Sequence, residues 1–142
     1  GAGTVLSPAD VAAVHAAGGR LIVTPNTVPA VIERAVALGM TVMPGFATAT
    51  EAFAAVGAGA GMLKLFPAAS YGPGHLKALR DVLPREVAVF AVGGVGAGNL
   101  APWREAGCAG LGVGGDLYRA GHPAGEVHRR ALGLVAAWRA SQ

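Results

Sequence analysis

Lys64 lies in Gly61-Met62-Leu63-Lys64-Leu65-Phe66-Pro67, an apolar run with strand character, in a chain with one other lysine, Lys77. Burial there disfavours the ammonium, and a lysine that becomes a neutral amine near pH 7 can attack a ketone to form a Schiff base. The alternative is a strand-end lysine whose stem packs while its head reaches water. Two glycine pairs, Gly93-Gly94 and Gly114-Gly115, follow later strand-like segments. Backbone N–H groups in such loops can cradle a phosphate, although each pair taken alone also fits a plain tight turn.

Other chemistries find less support. Cys108 is the single cysteine, so no disulfide framework and no cysteine-based metal site is expected, and between Gly107 and Ala109 it reads as a small core residue. His15, His75, His122 and His128 fall on helices or helix starts, poor positions for a catalytic or metal cluster. The net charge of +3 comes from nine arginines spread along the chain. Without basic runs or interleaved aromatics this is no nucleic-acid surface. Apolar residues make up 53%, but Gly, Pro and charges interrupt every run before the roughly 18 residues a membrane span needs. No secretory leader follows Gly1, and a cytoplasmic location is expected.

The elements that must position Lys64 alternate between strand and helix. At 142 residues the chain suits one domain. Gly1–Leu6 reads as the end of a strand, and Ser7-Pro8-Ala9-Asp10 caps a helix to about Ala17. Leu21–Val23 is a strand, Pro29–Leu38 a helix closed by Gly39, and Thr41–Met43 a strand. Thr48-Ala49-Thr50-Glu51 forms a capping box for a helix to about Val56, after which the strand of Lys64 begins. Tyr71–Gly74 reads as a loop and His75–Leu83 as a helix. A strand at Val87–Val92, a helix near Asn99–Ala106, a strand at Gly110–Val113 and a helix from Pro123 to about Ala140 complete six strands.

This order implies a parallel sheet with helices outside, as an open doubly wound sheet or as part of an eight-stranded barrel. Glycine pairs after the last two strands favour the barrel, since phosphate often binds in the loops after its seventh and eighth strands. A dinucleotide-binding Gly-x-Gly-x-x-Gly is missing. The opening inside a strand suggests that two further units precede Gly1. A mean hydropathy of +0.50 with 13% charged residues suggests a subunit interface or a piece of a larger domain.

Gly1-Ala2-Gly3-Thr4-Val5-Leu6, Pro44-Gly45 with Ala47-Thr48, Lys64-Leu65-Phe66-Pro67 and Gly93-Gly94-Val95, in that order, resemble the 2-keto-3-deoxy-6-phosphogluconate and 2-dehydro-3-deoxy-6-phosphogalactonate aldolases. Leu21–Asn26, Gly39–Val42, Val89–Gly94 and Ala106–Gly110 bring it nearest the phosphogalactonate branch. The resemblance implies a (β/α)8 TIM barrel of the class I aldolase type, here covering about strands 3 to 8, usually trimeric and needing no metal or other cofactor. Lys64 then matches the Schiff-base lysine that releases pyruvate and glyceraldehyde 3-phosphate from a phosphorylated keto sugar acid. Thr4 matches a pyruvate-carboxylate ligand, and Pro44 and Phe66 match wall residues near the imine, with ordinary packing as their alternative.

Gly93, Gly94 and Gly114 match the phosphate loops, and Gly115 stands where relatives commonly carry serine. Val92 takes the place of a threonine usual in the phosphogluconate enzymes, so it suits the galactonate-derived epimer. The general acid/base glutamate and the carboxylate-binding arginine of the family belong to the first two units, and nothing in this sequence replaces them. Glu33 and Glu51 read as helix residues and Asp116 sits on the phosphate side. A non-catalytic phosphosugar-binding fragment is therefore the rival reading. A phosphate-binding barrel of another reaction type, such as an epimerase, would need carboxylates or histidines at strand ends.

Overall fold

A computed structural model describes residues 1–141. Strands β1 (Ala2–Gly3), β2 (Leu21–Val23), β3 (Thr41–Met43), β4 (Gly45–Phe46), β5 (Met62–Leu65), β6 (Ala88–Val92) and β7 (Gly110–Gly112) alternate with helices. The helices are α1 (Pro8–Ala16), α2 (Pro29–Ala37), α3 (Ala49–Gly57), α4 (Ala68–Tyr71), α5 (Pro73–Arg80), α6 (Leu100–Glu105) and α7 (Ala124–Ala140). Every strand pair is parallel, in the orders β1-β2-β3 and β4-β5-β6-β7. All strand C-termini therefore open on one end of the sheet.

Seven strands stand where six are expected, because Pro44 divides the third. Proline has no N–H to give to a ladder. β3 thus pairs with β2 on one side, while β4, one residue further on, pairs with β5 on the other. The junction is closed by neighbouring groups. Pro44 O accepts the Lys64 N–H (2.9 Å), and the buried Thr24 hydroxyl accepts the Gly45 N–H (3.3 Å) while donating to Asn26 O. Segment 41–46 joins the two ladders into one arc of six strand lanes.

The second departure lies at Tyr71–Gly74. Instead of a loop, the short helix α4 ends at Tyr71, and α5 starts at Pro73 with Gly72 (φ 79°) between them. A four-residue helix is too short to show the 3.6 period. Pro73 supplies the preset φ of a first helical position, so α5 begins two residues before His75.

Alternation along β5 and β6 separates two faces. Leu63, Leu65, Val89 and Ala91 are buried, packing in one core with Ala52 and Ala55 of α3 and Leu76 and Leu79 of α5. Each fully buried leucine of this layer contributes roughly 2 kcal/mol. The intervening Met62, Lys64, Phe90 and Val92 share the opposite, half-open face. Residues in register stand side by side, so Gly45, Lys64 and Phe90 form one row across that face.

The start of α3 fixes the β4–α3 turn. The Glu51 carboxylate accepts the N–H groups of Ala47 and Thr48 and the Thr48 hydroxyl, each at 2.9 Å, while Thr48 Oγ1 accepts the Glu51 N–H at 3.3 Å. These bonds, the one from Ala47 first, hold the Glu51 carboxyl below the usual glutamate range. A depressed folded-state pKa gives stability that is present above the unfolded carboxyl range and is lost as pH falls through the folded value. Glu51→Ala should therefore cost about 1 kcal/mol at pH 7, a fall in Tm of about 4 °C. Thermal melts of the two proteins should draw together as pH falls below the unperturbed carboxyl range and through the lowered Glu51 value. A gap that persists into acid would mean that packing rather than the carboxylate holds this turn.

Candidate functional site

Lys64 reaches the open face because β5 alternates, and its side chain stays half-buried there. Burial lowers its pKa below the ordinary lysine value. Nζ lies 4.3 Å from the centroid of the Phe66 ring, whose face favours the charged form and so works against burial. The two ion pairs among the described residues, Glu126 with Arg129 and with Arg130, leave Lys64 out. Desolvation without a partnering carboxylate is the condition under which a lysine becomes a nucleophilic amine.

Phe66 links Lys64 to a cavity of about 300 Å³ lined by Phe66, Val92, Gly93, Gly94, Val95, Gly112, Gly114, Gly115 and Asp116. The apolar hollow between β7 and α7 at Trp138 holds no chemistry of this kind. The glycines of the cavity are required for different reasons. Gly93 and Gly94 turn the chain off β6 with φ of 96° and 72°, values a side chain rarely adopts. A Cβ on Gly94 would also lie 2.5 Å from Ala69 Cβ, and one on Gly112 would lie 2.6 Å from the Val92 side chain. A Cβ on Gly114, which also lines the cavity, would meet nothing within 4 Å.

Of the nine residues singled out from sequence, Phe66, Val92, Gly93, Gly94, Gly114 and Gly115 thus line one cavity. Lys64 adjoins it through Phe66, and Pro44 adjoins Lys64 through the bond from the Lys64 N–H to its carbonyl. Pro44 itself is fully buried, so its ring packs in the interior. Thr4 does not line this cavity. It is exposed at the end of β1, with two strand lanes between β1 and β5, and carries φ of 56°, a left-handed backbone unusual for a residue with a branched side chain.

Sequence reasoning missed α4 as part of the site. Ala69 N–H donates to Gly93 O (3.0 Å), so the turn that follows Lys64's strand props the glycine loop from below. Its signal, Pro67-Ala68-Ala69-Ser70, is too short to read as an element. His75, set aside as a helix residue, is engaged structurally: its Nε2 lies 2.6 Å from Ala47 O and its ring stacks on Tyr71. Buried Cys108 has a raised pKa from desolvation and bonds only backbone groups, as a core thiol does. Among the described residues no cluster of His, Cys, Asp and Glu could hold a metal ion, and no helix is long and apolar enough to cross a membrane.

Known proteins share this fold and much of this sequence. A family model described as KDPG and KHG aldolase matches residues 1–127. The 2-dehydro-3-deoxy-6-phosphogalactonate aldolase of Escherichia coli (strain K12) is 57% identical over 139 residues, 98% of this chain and 68% of that protein. A solved structure described as native KDPGal superposes with a TM-score of 0.97 at 56% identity, over 99% of this chain and 68% of the other. The KDPG aldolase from Legionella pneumophila, solved with pyruvate captured as a covalent carbinolamine intermediate, superposes with a TM-score of 0.70 at 27% identity, over 100% of this chain and 68% of the other. The chain thus spans about two thirds of the length of the relatives it matches, and its arc of parallel strands is part of a (β/α)8 barrel. Motif order, fold and identity agree, and the chain belongs to the KDPG and KHG aldolase family.

Proposed function

We propose that this chain carries the Schiff-base half of a class I aldolase that cleaves 2-dehydro-3-deoxy-6-phosphogalactonate to pyruvate and glyceraldehyde 3-phosphate. The observation that carries the reading is a desolvated lysine with no ion pair among the described residues, set one aromatic ring away from a glycine-walled cavity. The neutral amine of Lys64 adds to the C2 ketone, and loss of water leaves an iminium. When the C4 hydroxyl gives up its proton, the C3–C4 bond breaks, its electron pair flows into the iminium, and the aldehyde departs. The resulting enamine takes a proton at C3, and hydrolysis frees pyruvate and the amine.

The cavity suits the phosphate end, since its N–H groups can approach an anion where no side chain intervenes. Val92 offers only methyl groups to it, which favours the epimer whose C4 hydroxyl needs no partner there. The proton-transfer carboxylate is the part unsupported by these residues. Glu51 is committed to its cap and Glu33 stands exposed on α2. Since general acid/base help is worth about 10² to 10⁴ in rate, turnover by this chain alone should be slow. Thr4 as carboxylate ligand, Pro44 as wall, and Gly115 as a cradle position without a hydroxyl complete the proposed roles. Exposed apolar residues such as Phe53, Val82 and Leu132 fit a homotrimer. The charged substrate, which does not cross a membrane unaided, fits a cytoplasmic reaction.

Incubation with pyruvate and borohydride, followed by peptide mass analysis, tests the imine. Reduced pyruvyl label should appear on Lys64 and not on the exposed Lys77. Because burial lowers the Lys64 pKa, the trapping rate should rise with pH and level off below the pH at which an ordinary lysine amine would. Label on Lys77 alone, or none, would favour the rival non-catalytic phosphosugar-binding reading.

A further inference from the structure

The glycine cavity contains one formal charge, and it has the wrong sign for an anion site. Among the described residues, Asp116 is its only ionisable lining residue. The Asp116 carboxylate sits where a side chain on Gly96 would otherwise project, so glycine at 96 leaves room for it. The β6–α6 loop under it is built around Asn99, whose Oδ1 accepts the Gly96 N–H (2.9 Å) and whose Nδ2 donates to Gly94 O (2.9 Å). Gly94 and Gly96 are thereby fixed in one turn, and the carboxylate is held next to the loop that carries the cradle.

Two guanidinium groups touch the Asp116 loop, and both are engaged with backbone there. Arg119 Nε donates to Gly115 O (3.0 Å); Arg130 Nη1 donates to the backbone oxygen of Asp116 (3.1 Å) while its Nε pairs with Glu126 (2.6 Å). Neither lines the cavity. An anion seated among Gly93, Gly94 and Gly114 therefore shares the cavity with Asp116.

We propose that Asp116 is an affinity- and specificity-setting residue of the glycine cradle: its negative charge weakens the hold on a dianionic phosphate so that the phosphorylated fragment is released readily. This inference rests on the reading of the cavity as the phosphate site. A dianion and a carboxylate several ångströms apart in a solvent-open cavity repel enough to change affinity by about threefold to tenfold, and added salt screens that repulsion.

Binding of inorganic phosphate at pH 8, followed by isothermal titration on the wild-type chain and on Asp116→Asn and Asp116→Ser, provides the test. Both variants should bind phosphate about three to ten times more tightly than wild type in low salt, with the gap narrowing as sodium chloride is raised. Equal affinity in all three proteins, or weaker binding in the variants, would overturn the role given to Asp116 and leave the cradle standing. If none of the three binds phosphate, the cradle reading falls and the Asp116 proposal with it.

Discussion

Lys64→Arg is expected to abolish pyruvate trapping and to lower cleavage by on the order of 10⁴-fold or more, as removal of a covalent nucleophile does. The guanidinium keeps the charge and most of the stem but is never a usable amine, so it cannot add to the C2 ketone. Lys64→Met should give the same loss for the opposite reason, because it keeps the buried stem and removes the charge altogether. The pair separates chemistry from folding. Lysine is half-buried on the open face of β5 and joins no ion pair among the described residues, so methionine should leave the melting temperature unchanged or slightly raised. Arginine must place a larger cation over the Phe66 ring and should be no more stable than wild type. The measurements are borohydride trapping with pyruvate, cleavage of the phosphorylated keto acid, and a thermal melt of each variant. Retained trapping in either variant would move the imine to another amine and remove Lys64 from the mechanism.

The parts of this site that were legible from sequence are those that a single residue type announces. Lys64 in an apolar run, Gly39 after α2, the Thr48–Glu51 capping box and the Ser7 cap each carry their own local physics, and each stands in the structure where that physics puts it. Features that depend on two distant segments were not legible. Pro44 advertises a broken ladder, but which neighbours the two halves choose is decided by Thr24 and Lys64, some twenty residues away on either side. The support of Gly93 by Ala69 is of the same kind, with a helix too short for a period meeting a loop beyond the next strand. Thr4 is a different case: its proposed role comes from the family resemblance, and the structure adds only that it is exposed just past β1 in a left-handed backbone.

The glycines of the cavity look alike in sequence and should behave differently when replaced. Gly94→Val places a branched side chain at φ 72° with its Cβ 2.5 Å from Ala69 Cβ, so the substitution strains the backbone and overpacks α4 together. Each of these effects costs about 1 to 3 kcal/mol. Because Ala69 also holds Gly93, and α4 directly follows the strand of Lys64, the variant should lose pyruvate trapping along with phosphate binding. Gly114→Val is the cleaner probe. No atom lies within 4 Å of its Cβ and its φ is outside the left-handed region, so the fold should tolerate it and the melt should stay within about 0.5 kcal/mol of wild type. The new side chain would occupy cavity space meant for the anion. Phosphate affinity should then fall by more than about tenfold, the loss of one charge-assisted contact, while trapping of pyruvate on Lys64, which needs no phosphate, continues near the wild-type rate. Should Gly114→Val bind phosphate as wild type does, the anion lies elsewhere, and the glycine cavity is only a packing consequence of turning the chain off β6 and β7.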